Sequence, residues 1–238
     1  MLVRIPNSTY RIYGISAEPV RDVKGLRLFP DATLDQAPQL DVLHIPGGPG
    51  QEALMENDEV LDWVCGQAAG ARLVFSVCTG ALICGAAGLL QGRRATTYWA
   101  ALHLLPYFGA TPVDERVVVD GNLVCAAGVT AGIDGALRVA AMLRGDEVAE
   151  TIQLYMQYAP EPPSTRAARR PRHRRWSRPC AARRPRSWQG GRRRRAASPS
   201  GSASRFLTPD PAPDLTAALT RDINRLSRGD LAGRLAAT

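Results

Sequence analysis

Leu73-Val74-Phe75-Ser76-Val77-Cys78-Thr79-Gly80-Ala81 is the stretch on which the reading of this chain turns. Its first five residues are a short apolar run of strand-forming types. One cysteine follows, and then Thr-Gly-Ala-Leu-Ile-Cys-Gly-Ala-Ala, which is small and helix-compatible. A buried strand that ends on a nucleophile and turns directly into a helix is a nucleophile elbow, which holds the side chain up at the end of a sheet. The free N–H groups and partial positive charge of the helix start favour a thiolate there. A lone cysteine is more commonly a buried structural residue. Here the surrounding sequence favours the functional reading of Cys78.

Upstream, Tyr10-Arg11-Ile12-Tyr13-Gly14-Ile15 alternates and reads as a strand, and Leu26-Arg27-Leu28-Phe29-Pro30 as a second short one. Leu40-Asp41-Val42-Leu43-His44-Ile45-Pro46 is a stronger strand, closed by Pro46 and Gly47. Gly47-Gly48-Pro49-Gly50-Gln51 matches neither phosphate-loop nor dinucleotide fingerprints. Its glycines permit close backbone approach to a ligand, or simply make a strand-to-helix turn. Asn57-Asp58-Glu59 caps and charges a helix that Gly70 ends.

Beyond the central stretch, the helix after Cys78 runs to about Ala87. Arg93-Arg94-Ala95-Thr96-Thr97 reads as a strand, and residues 99–105 as a helix stopped by Pro106. Arg116-Val117-Val118-Val119 and Asn122-Leu123-Val124-Cys125 flank Asp120-Gly121, a tight hairpin signature. A helix then ends near Arg144-Gly145, and Asp146 caps a last helix over residues 147–158. Alternating strands and helices predict an α/β fold with a mostly parallel sheet. Sites in such folds lie outside the carboxyl ends of the strands, where both Cys78 and the Gly47-Gly48 loop fall.

The chain has 238 residues, 45% of them hydrophobic, enough for a real core. The formal charge of +8 belongs to the tail, because the arginines pile up in residues 166–195. The five cysteines, Cys65, Cys78, Cys84, Cys125 and Cys180, form neither a CxxC pair nor a Cys/His ligand cluster. An odd count in a chain with a good core points to reduced thiols and a cytoplasmic home, and no metal is expected. No apolar run reaches the ~18 residues that would span a membrane, and the first residues show no signal-peptide pattern.

A cysteine at an elbow needs a lowered pKa, an oxyanion pocket and a proton shuttle. The N–H groups of Thr79 and Gly48 can build the pocket, and the Thr79 hydroxyl can donate or relay a hydrogen bond. The shuttle is less evident: His44 lies in a strand and reads as a core residue, while His103 on the helix after Trp99 is a weaker candidate. Tyr98 and Trp99 either line a pocket or pack in the core. Cys65, Cys84 and Cys125 read as core thiols, and Asp134 as a helix cap.

Five blocks in order carry a resemblance. They are Asp41-Val42-Leu43-His44-Ile45-Pro46-Gly47-Gly48-Pro49-Gly50, Ser76-Val77-Cys78-Thr79-Gly80, Arg94-Ala95-Thr96-Thr97, the segment 114–122, and Gly128-Val129-Thr130-Ala131-Gly132-Ile133-Asp134. Over residues 10–163 they resemble the ThiJ/PfpI superfamily, which is class I glutamine-amidotransferase-like, and within it the isonitrile (cyclohexyl-isocyanide) hydratases. The resemblance implies a flavodoxin-like α/β sandwich, a homodimer, and no metal or organic cofactor. It implies that Cys78 is the nucleophile, Thr79 its catalytic neighbour, and Gly48 part of an oxyanion pocket; Gly47 beside it and Trp99 are the further candidate substrate-binding residues. The thiolate would attack the terminal carbon of an isonitrile, and water would convert the thioimidate to an N-substituted formamide. Relatives begin with a strand that ends in an acidic residue bonded to the thiol, followed by a helix. Here no Asp or Glu precedes Glu18, so the first strand, helix and acid are expected to be lacking. Tyr98 stands where many relatives carry His.

The expected domains are 1–163, the ThiJ/PfpI-like unit, and 164–238, an Arg/Pro/Ser-rich tail unable to bury a core. A basic arm for nucleic acid is one reading of the tail. Across residues 166–204 the lack of Lys and the few aromatics, Trp176 and Trp188, argue against it, and favour a GC-rich gene read out of frame. Residues 214–235 could form amphipathic helices. The alternative function is the sensing half of an AraC-type transcriptional regulator, for which the tail is short. A third is an inactive truncated family member.

Overall fold

In a computed structural model, residues 1–164 are described. Near the N-terminus, strand β1 (Tyr13–Gly14) pairs in parallel with β4 (Ala32–Thr33), and β2 (Val20–Arg21) pairs with β3 (Arg27–Leu28) as an antiparallel hairpin. The two strands expected in this region are thus each reduced to two residues.

The main sheet holds four strands in the order β5 (Val42–Ile45), β6 (Leu73–Val77), β10 (Leu123–Ala126), β9 (Val117–Asp120). The first two pairings are parallel and the last is antiparallel. Being central, β6 and β10 are covered on both faces, which is why they read as continuous apolar runs rather than alternating ones. Gly121, at φ +59, is the first of two loop residues between β9 and β10, a position where a tight hairpin favours glycine. A separate parallel pair joins β7 (Arg94–Ala95) to β8 (Thr111–Pro112).

Helix α1 (Gln51–Met55) follows the glycine loop and was not foreseen. In α2 (Asp58–Gly70) the Asn57 side chain caps the start by accepting from the Val60 N–H at 3.2 Å, as its sequence promised. Helix α3 (Gly80–Ala86) begins directly after Cys78 and is almost wholly buried. On the other face lies α4 (Ala131–Arg144), which sets Ala131, Ala136, Val139 and Ala140 against Leu73, Phe75, Val124 and Ala126. Gly135 permits that approach, since a Cβ there would stand 2.7 Å from the Phe75 ring. Helix α5 (Asp146–Tyr155) closes the layer with Ala149 and Ile152. The strand period of two sends Ser76 and Cys125 to the opposite face, where they meet Cys84 of α3.

Three expectations change in detail. Residues Trp99–Phe108 form a 3-10 helix that runs through Pro106 and ends at Gly109, whose φ of +70 suits glycine. The strand over 93–97 stops at Ala95, because Thr96 and Thr97 bond elsewhere. Gly145, not Asp146, is the cap of α5. Among the described residues no helix is long and apolar enough to cross a membrane. The readings made for the tail, including helices in 214–235, lie outside the described residues.

Candidate active site

Strand β6 ends at Val77, and the next residue, Cys78, has φ +57. A residue with a Cβ held in that region costs about 1–3 kcal/mol and persists only where its surroundings over-determine it. Here they do. The Cys78 N–H donates to the Ala126 carbonyl at 2.8 Å, continuing the β6–β10 ladder past its end. The Cys78 carbonyl accepts from the Thr97 hydroxyl at 2.7 Å. Helix α3 then starts within two residues, leaving the thiol half-buried at the carboxyl end of the central strand.

The glycine loop after β5 closes on this turn. A Cβ on Gly47 would lie 2.6 Å from the Thr79 nitrogen, 2.8 Å from Thr79 Oγ1 and 2.9 Å from Cys78 Cβ. A Cβ on Gly80 would strike the carbonyl oxygens of Ile45 and Pro46. Two glycines, one on each side, therefore let β5 and β6 end side by side with backbone against backbone. The sequence left Gly47 open between ligand approach and plain turn; the packing gives it a definite reason. Gly48, at φ +150, donates its N–H to Thr79 Oγ1 at 3.0 Å. That N–H, expected to face a substrate oxygen, is thus engaged with Thr79.

Burial pushes the Cys78 thiol above its ordinary value, against which the Thr79 N–H and hydroxyl pull it down. This runs against the expectation of a stabilised thiolate: desolvation outweighs the two Thr79 hydrogen bonds. His44 stacks on Phe75 with ring centroids 4.9 Å apart, and its Nδ1 lies 3.1 Å from the Phe75 carbonyl. A carbonyl only accepts, so Nδ1 carries the proton. Burial lowers the His44 pKa, so the ring is held neutral. His103 is exposed. Trp99, 48% exposed, stands two residues beyond Thr97 with its ring tilted against Tyr98 at 5.5 Å.

Of the other thiols, Cys84 and Cys125 are buried, and burial raises both. Ser76 Oγ sits buried beside them without a well-formed hydrogen bond. Cys65 departs from expectation: it is an exposed residue of α2, and its Sγ donates to the Ala87 carbonyl at 2.9 Å. Asp134 is no cap. Its carboxylate accepts from Arg116 Nε at 2.6 Å and from the Tyr158 hydroxyl at 2.8 Å. A cavity of about 370 Å³ touches Cys65, Leu89, Arg93 and Asn122, together with the starts of β6 and β10 at Val74 and Leu123. It is therefore at the end of the sheet away from Cys78.

Thr97 is the residue that sequence reasoning passed over. Its neighbour Thr96 donates to the Glu115 carbonyl at 3.1 Å, and each threonine is 1% exposed. Two adjacent hydroxyls breaking off a strand were the available signal, since a buried hydroxyl must find a partner.

The sequence pattern of the DJ-1/PfpI family matches residues 5–142, which include every residue of this site. The chain is 50% identical over 163 residues to isonitrile hydratase of Pseudomonas putida, covering 68% of this chain and 72% of that protein. It is 30% identical over 130 residues to the HTH-type transcriptional regulator GbdR of Pseudomonas aeruginosa, covering 54% of this chain and 35% of the regulator. Among solved structures, a ThiJ/PfpI family protein from Pseudomonas syringae superposes with a TM-score of 0.63 at 42% identity, covering 65% of this chain and 64% of that one. The chain belongs to the DJ-1/PfpI family.

Proposed function

We propose that this chain hydrates isonitriles to N-substituted formamides through Cys78. The observation that carries the reading is the 50% identity to isonitrile hydratase, over a stretch that includes the whole Cys78 turn. The geometry supports it by presenting a half-buried thiol at the carboxyl end of the central strand, with Thr79 against it.

The chemistry fits a thiol whose pKa is raised. The terminal carbon of an isonitrile is both nucleophilic and electrophilic. The Cys78 S–H adds across it, so that one C–S and one C–H bond form and a thioimidate results. Water then adds to that carbon, the C–S bond breaks, and the proton returns to sulfur as the formamide leaves. A thiol that keeps its proton near neutral pH brings that proton with it, so the first step needs no separate carboxylic acid. Thr79 steadies the sulfur through its N–H and hydroxyl. Gly47 and Gly48 form the wall opposite, and Trp99 is assigned the apolar substituent of the substrate. In this reading the substrate is a small molecule, no cofactor takes part, and the protein works as a cytoplasmic homodimer with no role for nucleic acid.

Incubation with cyclohexyl isocyanide, with N-cyclohexylformamide measured by gas chromatography, tests the proposal. Formamide made by the wild type and not by Cys78→Ala supports it. Equal yields from the two proteins, or none above the buffer blank, would refute it. The GbdR match keeps a sensing domain as the second reading. Isonitrile binding without turnover would favour that one.

A further inference from the structure

We infer that Thr97 is the positioning residue for the Cys78 thiol. The inference deepens the reading above and depends on it for the reaction, though not for the reactivity of the thiol. The left-handed turn at Cys78 is unfavourable for a side chain, and a return to negative φ would swing the Cα–C=O unit and the thiol together. Two bonds oppose that return. The ladder bond from the Cys78 N–H fixes the near side of the residue. The 2.7 Å bond from Thr97 Oγ1 fixes the far side, at the atom that must move. The Ala81 N–H also points at this carbonyl, but from 3.4 Å, so the close donor is Thr97.

Thr97 cannot follow the carbonyl if it turns. The hydroxyl of adjacent Thr96 is tied to the Glu115 carbonyl, and Val113 donates to the Ala95 carbonyl at 2.8 Å. Both threonines are buried, so no water stands ready to replace either bond. The pair also supplies its own control. Thr96 has the same side chain, the same burial and a bond to a main-chain carbonyl, yet that carbonyl does not belong to the site.

The experiment measures the rate of iodoacetamide addition at Cys78 against pH, followed by mass spectrometry of the Cys78 peptide. Thr97→Val is expected to slow the addition roughly 5- to 10-fold, the scale of one lost buried hydrogen bond, and to move the pH midpoint. Thr97→Ser is expected to restore both, and Thr96→Val to leave both as in the wild type. Should Thr97→Val not fold, Thr97→Ala, which adds no bulk, replaces it with the same expectations. Wild-type rate and midpoint in the Thr97 variant would overturn the inference, as would equal slowing by Thr96→Val. Formamide formation is scored separately. A wild type that makes none, with alkylation still dependent on Thr97, removes the hydratase reading and leaves this one. An active wild type whose thiol ignores Thr97 does the reverse. Where turnover is present, Thr97→Val is expected to lower kcat with KM little changed.

Discussion

Replacing Gly47 with Ala tests the account of how the site is assembled. The added methyl would meet three atoms closer than 3.0 Å: the Thr79 nitrogen at 2.6 Å, Thr79 Oγ1 at 2.8 Å and Cys78 Cβ at 2.9 Å. Two of these belong to, or are fixed by, the backbone of the turn, so they cannot swing aside as a flexible side chain would. Overpacking of this kind costs about 1–3 kcal/mol. For a chain of this size each kcal/mol lowers Tm by roughly 2–4 °C, so a fall of about 2–12 °C is expected. Gly50 is the matched control. It lies in the same loop, its φ is −76, and a Cβ there would meet nothing within 4 Å. Gly50→Ala should therefore melt at or slightly above the wild type, since it only narrows the unfolded ensemble. The assay is a thermal melt by circular dichroism together with the alkylation rate of Cys78. The strained variant should lose both stability and reactivity, because relief of the clash must push on the Cys78–Thr79 turn. A Gly47→Ala protein that melts within about 1 °C of Gly50→Ala and alkylates at the same rate would show that the loop does not close on the cysteine, and the described site would be wrong.

Stability should also fall on the alkaline side. Burial raises the Cys84 and Cys125 thiols in the folded chain, whereas both lose their protons near ~8.5 when unfolded. The folded state then holds more protons above that pH, so each thiol contributes a loss of up to about 1.4 kcal/mol per pH unit, starting near ~8.5 and rising with pH. Melts from neutral to strongly alkaline pH check the slope, and a flat profile would contradict the burial. In native protein, peptide mapping after brief thiol labelling should find, among the described thiols, Cys65 modified and Cys84 and Cys125 protected, following their exposure. Uniform labelling would contradict it. Asp134→Asn should cost less than about 1 kcal/mol despite three polar contacts, because Arg116 is 60% exposed and water replaces what is lost. A loss above about 2 kcal/mol in denaturant titration would mean that the Arg116–Asp134–Tyr158 group carries more of the fold than its exposure allows.

The sheet was legible because its central strands are buried on both faces, and burial of that kind writes itself as an unbroken apolar run at Leu73-Val74-Phe75 and again at Leu123-Val124-Cys125. The hairpin at Gly121 and the cap at Asn57 were legible for a related reason: each depends on one residue whose local chemistry has few alternatives. Cys78 could be singled out by the switch from strand-forming to small residues around it. The clamp by Thr97 could not, since it depends on a segment far along the chain arriving at a particular carbonyl, and hydroxyl partners are a matter of tertiary placement. The direction of the Cys78 pKa was misjudged because a helix start can be seen in sequence whereas the depth of burial around one sulfur cannot. Cys65 reads as a core thiol in the sequence, yet it is exposed, because one helical position beyond the buried Val64 already leaves the buried side of α2.

The three restraints on the Cys78 turn have a consequence for how the protein comes into being. Gly48 reaches the turn from well before it, while Thr97 and Ala126 reach it from successively later parts of the chain. A nascent chain exposes its cysteine before Ala126 has left the ribosome. Until then the left-handed conformation lacks the Ala126 bond, and contacts so distant in sequence form late. The restrained form of Cys78 therefore arises only when the β10 segment docks beside β6. A growing chain carries an ordinary thiol, and its thiol reactivity during refolding would serve as a clock for the arrival of the last central strand.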